Sequence, residues 1–207
     1  VGTTRLSGGL ARDTEGIRAD GFQLVNEALN LEADGVYAAE DTDIGAQLTV
    51  DDLGRISADV TGGASLELRA TGGIEALQVT ATAAIPEGTL QGRPLEGARV
   101  AITAEGASAA ELAGTIDGGA RVGDLPIDLS GAFSILDDVQ RLQEFLLTAG
   151  SSRFEGTVAR GADGLFAGTV EIASPDIAEV AALGGAEASG EVAATLVLSR
   201  SVNRQRA

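Results

Sequence analysis

Acidic side chains are the residues of this sequence that could most readily take part in catalysis. Two carboxylates on either side of a bound sugar can hydrolyse a glycosidic bond. Sugar sites normally also carry aromatic platforms, yet aromatic residues make up only 3% of the chain. We therefore interpret the acids as helix-start and turn residues, where carboxylates are common. The acids considered are Asp41 and Asp43, the adjacent pairs Asp51-Asp52 and Asp137-Asp138, and Glu105.

Catalysis that depends on His, Cys or Lys is excluded because the sequence contains none of the three. Ser-His-Asp and Cys-His triads, zinc sites, Schiff bases and the Walker A lysine each need one of them. The segment Asp41–Gly45 lacks the later ligands of an EF-hand. A formal net charge of -17 repels nucleic acid. We predict no catalytic, cofactor-binding or metal-binding residues, and no enzyme activity.

The elements that position any site are predicted to be strands. Apolar and polar residues alternate with period two along most of the chain, which is typical of antiparallel strands covered on one side. A clear case is Leu66-Glu67-Leu68-Arg69, which puts the two leucines on one face and the charges on the other. Glycine-rich turns separate the runs. The pattern predicts an all-β fold and leaves a meander, sandwich, barrel or solenoid open.

Three stretches depart from this period. Residues 174–183 predict a short helix, with Ser174 as N-cap and Pro175 as its first residue. Residues 51–56 resemble a weaker version of it. The segment 136–147 fits either a helix or a strand, and we interpret it as a strand because of a repeat in the chain.

The repeat relates two segments, about 22–72 and 145–198. The offset runs from 121 at Gly35 (156 − 35) to 124 at Asp52 (176 − 52). Each copy ends in a helix-like stretch, a glycine-rich turn and an amphipathic strand. A repeat of this size predicts an array in which each unit stacks on its neighbour.

The apolar face itself allows two interpretations. It is either the closed core of two packed sheets, which base rates favour, or an open groove for an apolar ligand. The scarcity of aromatic bulk and the repeat favour the groove. The chain begins at Val1 and contains no Met, so we expect residues 1–207 to be one elongated β-rich segment of a larger protein. No apolar run is long enough to span a bilayer, and we expect any membrane anchor outside it.

Several passages resemble the TamB-like branch of the AsmA-type bridge-like lipid-transfer proteins of Gram-negative envelopes. They share its pattern of strands, glycine turns and a short helix before a final amphipathic strand. These passages are 85–100, 145–156 with 166–172, 174–183 with 188–198, and 52–72.

The resemblance implies an elongated, curved antiparallel sheet, a β-taco, with one or two short helices and a hydrophobic groove. It implies a periplasmic location in a protein anchored in the inner membrane, transfer of phospholipid between inner and outer membrane, and support of surface-protein assembly with an outer-membrane β-barrel partner. The groove residues expected to contact phospholipid acyl chains are Leu29, Leu31, Leu48, Val50, Leu66, Leu68, Val79, Val100, Ile102, Ile127, Leu129, Val170, Ile172, Leu196 and Leu198.

A structural or adhesive exported β-solenoid without lipid transport is the alternative. Such a passenger segment would share the glycine turns, the acidity and the absence of Cys. Solenoids often stack asparagine ladders, however, and Asn occurs here only at positions 26, 30 and 203. The helix-like inserts also fit a solenoid poorly.

Overall fold

The computed structural model describes residues 3–12, 14, 16–38, 40–73, 76–108 and 110–199. They form one open, curved antiparallel sheet of 14 strands, which confirms the predicted all-β fold class. The strands are β1 (Arg5–Arg12), β2 (Gly16–Val25), β3 (Leu29–Ala38), β4 (Thr42–Val50), β5 (Val60–Gly62), β6 (Ala64–Gly72), β7 (Leu77–Leu90), β8 (Arg93–Ser108), β9 (Glu111–Val122), β10 (Leu125–Leu136), β11 (Val139–Ala149), β12 (Ser152–Arg160), β13 (Phe166–Ser174) and β14 (Val192–Leu198).

The strands follow one another across the sheet as a meander. Each strand pairs with the next in the chain, except that β4 pairs with β6, and the short β5 lies in line with β6 and pairs with the far end of β7. At the usual spacing of about 4.8 Å between strands, the sheet is roughly 60 Å wide. Of the four architectures that the alternation allowed, the chain adopts the meander.

The pairing register converts the alternation in the sequence into two distinct faces. Residues directly opposite each other on neighbouring strands point to the same side. One row of such partners crosses the sheet and is entirely apolar or glycine. The row runs Leu6, Leu24, Leu31, Leu48, Leu66, Ala83, Val100, Gly118, Leu129, Leu147, Phe154, Ile172 and Ala194. We call the side of the sheet that carries this row the apolar face.

The segment 136–147 forms a hairpin turn and most of strand β11, in agreement with the prediction of a strand. Leu136 ends β10, Val139 begins β11, and Asp137-Asp138 form the two-residue turn between them. Both turn residues have positive φ, 51° and 61°, the backbone twist that two-residue hairpins favour. Asp tolerates this conformation better than most residues, which explains the adjacent acids without chemistry.

Two connections contain helical turns. A 3-10 helix, Leu53–Arg55, follows β4, and the helix α1, Ala178–Leu183, follows β13. The predicted start of the second helix is wrong. Ser174 is the last residue of β13, Pro175 precedes the helix, and Ile177 occupies the N-cap position without a side-chain cap. Ser174 is retained by the strand because it pairs with Val192 of β14.

The two halves of the sheet share one pattern of pairing and irregularity. Leu6 pairs with Leu24 as Leu129 pairs with Leu147, an offset of 123 (129 − 6). The bulge between Ser7 and Gly9 recurs between Ser130 and Ala132. The correspondence therefore begins earlier than the sequence comparison indicated, at β1 and β10. Its sequence signal is the tripeptide Leu-Ser-Gly, present at 6–8 and at 129–131.

The register also corrects the alignment of the repeat. Gly156 pairs with Phe145 as Ala33 pairs with Phe22, so the counterpart of Gly156 is Ala33 and not Gly35. Matching Gly35 to Gly156 by residue type misplaces the alignment by two residues. The equivalent positions are those that pair with equivalent residues of the neighbouring strand.

An aspartate anchors the same connection in both halves. Asp52 accepts hydrogen bonds from the backbone N–H groups of Gly54, at 2.8 Å, and Gly62, at 3.3 Å. Asp176, 124 positions later (176 − 52), accepts from Ala178 at 3.0 Å and Gly190 at 3.3 Å.

The two anchored glycines also share an unusual backbone conformation. Gly62 and Gly190 have φ of 106° and 107°, which side-chain-bearing residues rarely adopt. Each aspartate thus ties the start of its connection to the glycine at its end.

Candidate apolar binding face

Every groove residue predicted from the sequence lies on the apolar face. Leu31, Leu48, Leu66, Val100 and Leu129 belong to the row that crosses the sheet. The remaining members sit in that row or in a parallel one. They are placed there by these pairs: Leu29 with Val50, Leu68 with Ala46, Val79 with Ala70, Ile102 with Ala81, Ile127 with Ala149, Val170 with Leu196, Ile172 with Phe154, and Leu198 with Gly168.

Several members of this face were not predicted from the sequence. Ile116 pairs with Ile102, Leu147 with Leu129, and Phe154 with Leu147. The alternation Leu112-Ala113-Gly114-Thr115-Ile116 carried the signal for Ile116, but its glycine weakens the pattern. Leu147 and Phe154 could be placed only once the hairpin turns fixed the register.

No second layer covers the apolar face within the described part of the chain. All of the described strands belong to one sheet whose two end strands, β1 and β14, do not pair, so no second sheet is present to cover this face. Leu66, Leu68 and Leu196 accordingly keep 37%, 36% and 49% of their surface exposed. Two sheets packed around a closed core, the other interpretation of the alternation, are not what these residues form.

Neighbouring apolar side chains shelter much of the face although no second sheet covers it. Ile116 is half-buried, whereas its neighbours Thr115 and Asp117, which point to the opposite side, are exposed. Ile116 is a direct partner of Ile102, so large neighbouring side chains on this face shelter one another. The more exposed Leu66 and Leu68 show that the shelter is weaker around β6.

The buried residues concentrate on this same side. Four of them lie near one end of their strands: Val50 in β4, Leu95 in β8, Val122 in β9 and Ala149 in β11. Next to Ala149, the hydroxyls of Ser152 and Ser174 are 2.6 Å apart and fully buried. Each hydroxyl satisfies the other, which allows two polar groups to lie in an otherwise apolar strip.

The opposite face is polar and strongly charged. Arg69 pairs with Asp43 at 3.1 Å, and Arg153 with Glu155 at 2.6 Å, both at exposed positions. The hydrogen bond from Arg153 holds the pKa of Glu155 below its ordinary value. A depression of about 580 Å³ lies here over β2 to β7, with Gln47, Glu67 and Thr80 in its lining. The polar face is therefore concave over β2 to β7.

The acids considered for catalysis hold structural or solvent positions. Asp43 pairs with Arg69, Asp52 anchors its connection, and Asp137 and Asp138 form a turn. Glu105 lies on the polar side of β8, opposite Gln78. Across the residues that the structure describes, no group of three or more potential ligands is arranged to hold a metal ion.

Comparison with known proteins adds no relative. No family model, no curated protein and no solved structure matches the chain. Among the described residues, no helix has the length and apolar character needed to cross a membrane.

Proposed function

We propose that this chain is a segment of a lipid-conducting wall, in which the apolar face holds the acyl chains of phospholipid. The observation that carries the proposal is the unbroken apolar row across an open, single-layered sheet. Exposed leucines lie along this face on β1, β6 and β14, and soluble monomeric proteins rarely expose apolar surface over such a span. We therefore expect an apolar ligand to bind this surface.

The chemistry of the face suits movement of lipid more than fixed binding. Each methylene removed from water contributes about 0.8 kcal/mol, so an acyl chain gains substantially from lying on it. The row offers only aliphatic and aromatic contacts, with no charge or hydrogen-bonding group to fix a headgroup at one position. Successive strands therefore present similar environments, and lipid can pass from one to the next.

The wider setting follows from the resemblance to TamB-like proteins. We place the segment in the periplasm, in a protein anchored in the inner membrane, where it conducts phospholipid between the two membranes. An outer-membrane β-barrel is its partner in surface-protein assembly. The antiparallel meander supports this setting over an exported parallel β-solenoid, in which successive rungs stack parallel strands. Protease treatment of intact cells separates the two, since it cuts a surface passenger and spares a periplasmic bridge.

The direct test is native mass spectrometry of the chain purified from a bacterial cell lysate without detergent. We expect co-purified phospholipid that is displaced by added diacyl phospholipid of a distinguishable mass. Added glycerophosphodiester, which has the headgroup and no acyl chains, serves as the control and leaves the bound lipid in place. A folded chain free of lipid, both as purified and after incubation with phospholipid, contradicts the proposal.

A further inference from the structure

The two edges of the sheet differ in how they are protected. β1 carries Arg5 and Arg12 and is bulged between Ser7 and Gly9. Charged residues and bulges are devices by which proteins prevent further strand pairing at an edge. β14, Val192–Leu198, contains no charged residue and no Pro, and it pairs with β13 without a bulge.

The outer side of β14 also corresponds to a paired position inside the sheet. Ala194 pairs with Ile172 as Leu66 pairs with Leu48, so β14 is the counterpart of β6. In the first half of the sheet, the equivalent side of β6 is occupied by β7 from Thr71 to Ser65. No described strand occupies that side of β14.

We infer that β14 is a pairing edge that accepts an extended antiparallel strand of the β7 type. The β7 segment that pairs with β6 is Gln78–Ala84, an uncharged run in which small apolar residues alternate with polar ones. Such a strand satisfies the free backbone groups of β14, continues the apolar row beyond Ala194, and places its threonines on the polar face. Small side chains suit the position because the large Leu66 and Leu68 of β6 pair with Ala83 and Ala81 of β7.

A second copy of this chain fits the edge less well. β7 is internal in every copy, so only the edge strands of a second molecule are available. Pairing β14 with another β14 would bring together two chains that each carry a net charge of -17. β1 and β14 run in the same direction within the sheet, so joining β14 to β1 of a second copy with the apolar faces on one side would make a parallel pair, and an antiparallel pair would turn the apolar face of the second copy to the other side. The inference concerns backbone pairing and stands whether or not the apolar face binds phospholipid.

Hydrogen exchange of the whole chain with a synthetic peptide of the sequence 77–85 tests the inference. We expect slower exchange of the β14 amides, at least fivefold, with no change in β1. A peptide with Pro in place of Thr80 and Thr82 should give no protection, because Pro cannot donate to the ladder. Leu196→Lys should weaken peptide binding at least fivefold, whereas Leu6→Lys, on the apolar face of the opposite edge, should leave it unchanged.

Three results overturn the inference. They are no protection of β14 at millimolar peptide, equal protection of β1 and β14, and self-association of the chain through β14 in analytical ultracentrifugation. Circular dichroism of both Lys variants ensures that a loss of binding is not a loss of fold.

Discussion

Replacing Ile102 and Ile116 together by Asp is expected to lower phospholipid binding about tenfold or more. The two residues are direct partners on β8 and β9 and lie on the apolar face near the middle of the sheet. Two carboxylates at these positions take away apolar contact with an acyl chain. They also hold water on the face where the acyl chain would lie. A loss of only about 1.4 kcal/mol already corresponds to tenfold weaker binding. Binding is measured by titration with a fluorescent phospholipid in detergent.

The matched control places the same charges one residue away. Thr103 and Thr115 are also direct partners on β8 and β9, but they point to the polar face. We expect Thr103→Asp with Thr115→Asp to bind phospholipid within about twofold of the unchanged chain. Equal losses in both variants would contradict the account. Loss of the folded state in only the Ile102 and Ile116 variant would also contradict it. Carboxylates on an uncovered face stay in contact with water, so the fold should tolerate them.

Removing both aspartate anchors is expected to destabilise the fold by about 2–4 kcal/mol. Asp52 and Asp176 each satisfy two backbone N–H groups that hold a connection against the sheet. Loss of one such cap costs about 1–2 kcal/mol, and distant sites contribute additively. Urea denaturation of Asp52→Ala, Asp176→Ala and the double variant measures the effect.

Asp51→Ala is the control for this series. Asp51 adjoins Asp52, but its side chain makes no hydrogen bond with the residues that the structure describes, and we expect a change below about 0.5 kcal/mol. If the double variant unfolds at the same urea concentration as the unchanged chain, the shared anchor has no energetic role. A double variant much less stable than the two single changes imply would show that the connections are coupled.

The alternation in the sequence was enough to predict the class of fold and the membership of one face. Leu66, Leu68, Ile102 and Leu129 could be assigned to a common side because every second residue in a strand shares a face. Architecture did not follow from alternation, because a sandwich, a barrel and a meander present the same pattern. The contacts between strands decide among them, and these depend on residues far apart in the chain.

Local signals failed where tertiary pairing overrides them. Ser174-Pro175 resembles a helix start, yet Ser174 stays in β13 because β14 pairs with it and Ser152 bonds its hydroxyl. The sequence predicts too short a repeat because Leu-Ser-Gly at 6–8 is a weak signal by itself. Only the recurrence of its bulge and pairing in β10 gives it meaning.

Photo-crosslinking at neighbouring positions tests the central claim, that the apolar face contacts acyl chains, most directly. A photoreactive amino acid is placed at Leu68 and Leu129 on the apolar face, and at Glu67 and Asp128 on the polar face. In the presence of radiolabelled phospholipid we expect adducts at the two leucine positions and none at the two acidic positions. Equal labelling of both faces, or labelling only at Glu67 beside the polar depression, would contradict the account.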